Sequence, residues 1–144
     1  MTELNERFSA ALHTTARAWR QALDRRIRYL GVSQASWLTI AVLAKSGGPL
    51  SQSELADRLA VEGATMVSMV DRLVKAGFVV REPSTIDRRV KRVVLTPAGN
   101  ALYAKVKAEA EAFRRELLAQ VPAEELRGAT ELLEKIQRVV ETPR

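Results

Sequence analysis

Apolar positions recur at three- and four-residue steps along most of this chain, and the breaks between those runs mark its elements. From about Leu4 to Leu30 the stripe Leu4, Phe8, Leu12, Ala16, Trp19, Leu23, Ile27 and Leu30 predicts one long amphipathic helix, stopped by Gly31. Asp24 lies four residues from both Arg20 and Arg28, which predicts an ion-pair ladder on its outer side. Ser33 can cap a second helix from Gln34 to about Lys45, and Ser46-Gly47-Gly48-Pro49 breaks the pattern. Ser51 with Glu54 three residues later forms a capping box, flanked by Leu50 and Leu55 as a hydrophobic staple. The short helix it starts carries Leu55, Ala56 and Leu59 on one side and ends near Ala60. The next helix runs from about Ala64 to Ala76 and ends at Gly77, a glycine suited to the position after a helix. Met66, Val67, Val70, Leu73 and Val74 predict its inner face, and Thr65, Ser68, Met69 and Arg72 its outer one.

Beyond Gly77 the period changes. Phe78 to Glu82 and Val90 to Leu95 are rich in β-branched residues, with Pro83-Ser84 opening the loop between them, so a β-hairpin is expected. Thr96 with Pro97 at the first helical position starts a long helix to about Gln120, its seam Leu102, Val106, Ala110, Phe113 and Leu117. Pro122 restarts a final helix, with Glu124 and Glu125 where the helix dipole favours acids. Leu126, Ala129, Leu132, Leu133, Ile136, Val139 and Val140 are expected to form its buried face.

Two short helices joined by a tight turn read as a helix-turn-helix, whose second helix can enter a DNA major groove. Thr, Ser and Met side chains suit base edges and thymine methyls, and Arg suits guanine. The hairpin carries Arg81, Arg88, Arg89, Lys91 and Arg92 against Glu82 and Asp87, a net +3, and reads as a wing reaching phosphates or the minor groove. The fold class is therefore mainly α (α+β): a winged helix-turn-helix with long N- and C-terminal helices forming a dimerisation region. Those terminal stripes are longer than a small winged helix can cover, and a second copy is the economical cover.

Composition narrows the function. A net charge of +6 over 144 residues points to a polyanionic partner, and 47% apolar residues exclude a disordered basic tail. Arg outnumbers Lys, 17 to 6, which favours bidentate phosphate and guanine contacts but also follows from GC-rich coding. With no cysteine there is no disulfide, thiolate metal site or cysteine redox sensor. No cofactor is expected. A metal site would need carboxylates such as Glu109 and Glu111, which the helical pattern explains as surface. No apolar run reaches the roughly 20 residues of a membrane span, and the N-terminus lacks a signal-peptide pattern, so the expected location is cytoplasmic with no membrane partner. An enzyme has no support, since neither a nucleophile elbow nor a phosphate-cradling loop is present. A winged helix used as a protein-interaction module would show an apolar or acidic recognition face.

The run from Ser51 to Thr96, with Asp87-Arg88-Arg89 and the closing Val94-Leu95-Thr96-Pro97-Ala98-Gly99, resembles the MarR family of transcription regulators. Arg17-Ala18-Trp19-Arg20 and Ser33-Gln34-Ala35-Ser36-Trp37 resemble its SlyA-like branch. The resemblance covers nearly the whole chain. It implies one MarR-type domain over 1–144, with dimerisation helices at 4–30 and 97–141 and a DNA-binding lobe at 33–96. It also implies a homodimer on double-stranded DNA, reading a pseudo-palindromic operator; a repressor is the expected role, although activation or repression depends on where the operator lies relative to the promoter. A ligand-independent regulator or counter-silencer is the alternative within DNA binding.

The candidate DNA-contacting residues are Ser51, Gln52 and Ser53 at a helix N-terminus, Thr65, Ser68, Met69 and Arg72 on the second helix, and Arg81, Asp87, Arg88, Arg89 and Lys91 on the wing. By resemblance, Asp87 braces the hairpin and Arg89 enters the minor groove. Relatives of the SlyA type carry Arg where this chain has Ser68, so their operator sequence does not transfer. Similar proteins are often released by small aromatic carboxylates; His13, Arg17, Trp19, Arg20 and Trp37 are the candidate effector residues, although both Trp residues also fit an apolar core.

Overall fold

The computed structural model describes residues 1–143. Ten elements follow one another: α1 (Thr2–Ile27), a 3-10 turn (Arg28–Leu30), α2 (Gln34–Lys45), β1 (Leu50–Ser51), α3 (Gln52–Leu59), α4 (Gly63–Lys75), β2 (Val79–Pro83), β3 (Lys91–Leu95), α5 (Pro97–Leu118) and α6 (Ala123–Glu141). They fall into two compact units, Met1–Ala110 and Glu111–Arg144.

In the first unit the expected start and stop signals act as written. Ser33 Oγ accepts from the Ser36 amide at 3.2 Å and caps α2. The box at α3 is complete: the Glu54 amide donates to Ser51 Oγ and the Ser51 amide donates to Glu54 Oε1, both at 3.1 Å. Leu50 and Leu55 are both buried, as a staple requires. Helix α4 closes on Gly77 at φ 86°, with the Phe78 amide donating to the Leu73 carbonyl and the Gly77 amide to the Val74 carbonyl, each at 3.0 Å. Those two bonds satisfy carbonyls that a bare helix end leaves open.

The sheet has three antiparallel strands in the order β1-β3-β2. Val79 faces Leu95, Arg81 faces Val93 and Pro83 faces Lys91, while Leu50 and Ser51 pair with Val93 and Arg92. Strand β1 was not part of the sequence expectation, because two residues ahead of a helix cap show no alternation. It ties the start of α3 to the root of the wing. Ile27, Ile40, Leu55, Met66, Val70, Val79, Val93 and Val106 are fully buried apolar side chains of this unit, with Thr39 buried among the polar ones.

Three expectations need correction. The inner face of α4 is Met66, Met69, Val70 and Leu73, and Val67 and Val74 are exposed. Both stripes obey helical spacing, and the long unbranched thioether of Met69 fills the interior, where its Sδ lies 2.8 Å from the buried Thr39 hydroxyl. Asp24 forms no ladder: its Oδ1 accepts from the Gln34 amide at 3.2 Å, and among the described residues no ion pair joins it to Arg20 or Arg28. Glu109 is no idle surface acid, since it accepts from Arg26 Nε at 3.0 Å and from the Tyr29 hydroxyl at 2.6 Å. That bond to the neutral phenol raises the Tyr29 pKa.

In the second unit α6 contains no buried residue. Leu132, Leu133, Val139 and Val140, expected as its buried face, are exposed in the lone chain.

Candidate nucleic-acid interface

The outer face of α4 presents Thr65, Ser68 and Arg72, one helical turn apart or nearly so, and all three are exposed. None of the three has a side-chain partner among the described residues. Met69, expected beside them, is 7% exposed and belongs to the core. Asp71 also lies outward, and it is the residue that sequence reasoning missed. Its sign was the available signal, an acid among basic neighbours that calls for a cation.

That cation is Arg81. From β2, Arg81 Nη2 pairs with Asp71 Oδ1 at 2.7 Å, its Nε donates to Gln52 Oε1 at 2.8 Å, and Nη2 also reaches the Val67 carbonyl at 3.4 Å. One guanidinium therefore links α3, α4 and the wing. Arg81, a candidate contact residue, is spent on a brace, and so is the Gln52 carbonyl oxygen.

The wing tip is held by its own small polar groups. Ser84 Oγ accepts from the Ile86 amide at 3.2 Å. The Val90 amide donates to the Asp87 carbonyl, and the Ser84 amide to the Val90 carbonyl. Asp87 Oδ1 accepts from the Arg89 amide at 3.0 Å, and the Arg89 guanidinium forks onto both carboxylate oxygens at 3.1 Å. This fork, together with the amide bond, holds the Asp87 carboxyl below the usual carboxylate range. Arg89 remains 91% exposed despite the fork, so releasing it into a groove costs one solvated ion pair. Arg88 and Lys91 are exposed alongside it. Ser51 and Gln52 are half-buried and Ser53 is exposed at the start of α3, so that helix end offers amides and hydroxyls on the side of the wing.

The expected effector residues do not all meet. Arg17 and Arg20 line an open groove of about 500 Å³ with Gln21, Asp24, Ser33, Gln34 and Ala35. Trp19, Trp37 and His13 are not in its wall. Trp37 is half-buried, with an indole N–H shut off from solvent and unpartnered. Among the described residues no cluster of His, Cys or carboxylates has the makings of a metal site, and no helix is long and apolar enough to cross a membrane.

A model of the MarR family matches residues 30–90, the span from the end of the 3-10 turn to the loop of the wing. A crystal structure of a transcriptional regulator designated PA3341 is 38% identical, covers 93% of this chain and 98% of its own, and superposes with a TM-score of 0.78. The chain belongs to the MarR family. The fold extends to more distant members. A MarR-like transcription regulator from Bacillus cereus is 24% identical, with 96% of this chain and 99% of that one covered and a TM-score of 0.85. A variant of Escherichia coli MarR complexed with operator DNA is 24% identical over 89% of this chain and 91% of its own, at a TM-score of 0.78. Within this MarR-family chain, α3 and α4 are the helix-turn-helix and β2–β3 the wing.

Proposed function

We propose that this MarR-family chain is a sequence-specific reader of double-stranded DNA that regulates transcription as a homodimer, most simply as a repressor in the cytoplasm. The observation that carries the reading is the free polar face of α4, Thr65, Ser68 and Arg72, set beside a wing bearing exposed Arg88, Arg89 and Lys91. Helix α4 supplies the base contacts, and the wing with Ser51, Gln52 and Ser53 supplies the phosphate and minor-groove contacts. Arg81 and Asp87 act through bracing. The structure of the Escherichia coli relative with operator DNA supports the same use of the same fold. Branch membership of the SlyA type is part of the proposal and rests on Arg17 to Arg20 and Ser33 to Trp37.

Exposed Leu132, Leu133, Val139 and Val140 on α6, and Leu4, Phe8 and Leu12 on α1, are the surfaces a second copy covers. Two-fold symmetry then demands a pseudo-palindrome with half-sites about one helical turn apart. A small aromatic carboxylate released into the Arg17–Arg20 groove would meet two guanidinium groups. The test is fluorescence anisotropy on the DNA just upstream of the chain's own gene, at fixed salt, with and without millimolar salicylate. Tight binding reversed by salicylate supports both parts; tight binding that salicylate leaves alone retains the DNA reader and removes this effector. No preference for that DNA over random duplex counts against regulation of its own gene.

A further inference from the structure

We infer that Thr96 is a positioning residue that clasps the end of the recognition helix α4 to the first turn of α5, and so fixes how the outer face of α4 is presented. The inference rests on the proposed DNA-reading function and goes beyond it by naming what holds the reader in place. The chain leaving α4 has already used its Leu73 and Val74 carbonyls in the turn at Gly77. Just beyond the helix, the carbonyls of Gly77 and Phe78 are both met by one residue of the far strand end. That residue is Thr96: its Oγ1 donates to the Gly77 carbonyl at 2.6 Å, and its amide donates to the Phe78 carbonyl at 3.1 Å.

The same hydroxyl oxygen accepts from the Gly99 amide at 3.1 Å, capping α5. A hydroxyl has one proton to give and two lone pairs to receive, so both bonds hold together. Gly99 completes the clasp by absence of a side chain. A Cβ there would run into the Phe78 carbonyl oxygen and come within 3.0 Å of Leu95 Cδ2. The first turn of α5 therefore lies directly on the corner where α4 becomes β2. A shift of the C-terminal end of α4 that carries Gly77 and Phe78 with it would strain both Thr96 bonds.

Binding constellations must be held to within about 0.5 Å, and base-edge contacts carry the sequence information that phosphate contacts lack. Loosening the clasp should therefore erode sequence preference more than general DNA affinity. Thr96→Asp separates the clasp from the cap. Asp is at least as good an N-cap as Thr, but at neutral pH it has no proton for the Gly77 carbonyl. Thr96→Ser keeps donor and acceptor.

The experiment uses the full chain and a duplex enriched by the unsubstituted protein from a random-sequence pool, with an unselected duplex as reference. The expected result is a fall of roughly tenfold in the selected-to-unselected affinity ratio for Thr96→Asp, with Thr96→Ser within about threefold of the unsubstituted protein. A pure charge effect would weaken both duplexes alike and leave the ratio unchanged. An unchanged ratio for a folded Thr96→Asp overturns the inference. If the unsubstituted chain enriches no duplex, the DNA-reading proposal fails and takes this inference with it. Should Thr96→Asp not fold, amide exchange on the unsubstituted chain decides: the Thr96 amide should be as protected as that of Phe78, and loop-like exchange at Thr96 overturns the clasp.

Discussion

Helices α4 and α6 both carry an apolar stripe at helical spacing, yet α4 buries Met66, Met69, Val70 and Leu73 while α6 leaves Leu132, Leu133, Val139 and Val140 in solvent. Helix α4 is amphipathic for two different partners, with the core of its own lobe inside and, in the proposed function, DNA outside. For α6 the apolar face itself is exposed, and in the proposed dimer it is the face a second copy covers. Periodicity states that a face is apolar; it does not state whose atoms cover it. The covered stripe belongs to the stability of one chain, and, in the proposed dimer, the uncovered one belongs to an association that depends on concentration.

The sharpest way to break that comparison is to remove the same kind of side chain from each stripe. Met66 is 0% exposed and Leu133 is 44% exposed. Met66→Ala should cost roughly 2–5 kcal/mol, the combined loss of transfer and cavity energy, and the cost should be independent of protein concentration. Leu133→Ala should instead shift the balance between one copy and two toward the single copy. Denaturant unfolding of Met66→Ala and light scattering over a dilution series of Leu133→Ala check the two, and an unchanged dissociation midpoint at Leu133 would place that side chain outside any dimer surface.

Charge on the α6 face tests association directly. Leu132→Glu with Leu133→Glu should halve the mass seen by light scattering and weaken binding to a two-half-site duplex by about a hundredfold or more, because each half-site then binds alone. If the unsubstituted chain already has the mass of one copy, the exposed stripe is not a dimer surface and the comparison loses its second term.

The outer face of α4 and the wing predict smaller, separable losses. Arg72→Ala should cost about 1–3 kcal/mol on the preferred duplex and relax preference at one base position. Equal losses on every sequence would make Arg72 a phosphate contact. Arg89→Ala should weaken binding roughly tenfold or more at fixed salt and shallow the salt dependence by about one ion. Unchanged binding would remove the wing from the mechanism. Arg81→Ala offers the contrast, with affinity lost and the salt slope kept, because that guanidinium answers to Asp71, Gln52 and the Val67 carbonyl.

These residues also show what a sequence makes legible. Ser51 with Glu54, and Gly77 after α4, are local signals whose partners lie within a few residues, and the fold uses both as read. The wing was legible because β-branched runs and its charge coincide. Met69 was misplaced because Met66-Met69-Val70-Leu73 and Met66-Val67-Val70-Leu73 fit one helix equally well, and only packing against Thr39 chooses. The inward turn of Arg81, toward which only the acid at Asp71 pointed, and the clasp of Thr96 onto Gly77, 19 residues away, depend on contacts between elements that spacing does not show. The gathering of Arg17 and Arg20 into a groove without Trp19, Trp37 or His13 is of the same kind.

The smallest effect concerns the start of α3, the helix that packs against α4. The Glu54 carboxylate receives the Ser51 amide in the capping box, and this, with the contribution of the Ser51 hydroxyl, holds its pKa below the usual carboxylate value. A carboxyl with a folded pKa below its unfolded one contributes stability that is present above the unfolded value and lost as pH falls through the folded one. Glu54→Gln should therefore be slightly less stable than the unsubstituted chain at pH 7, and the two should converge as the solution is acidified past the carboxylate range. Denaturant titrations at pH 7 and at about pH 3 measure the gap. A gap that is the same at both would show that the amide of Gln serves the Ser51 cap as well as the charge does, leaving the box as geometry alone.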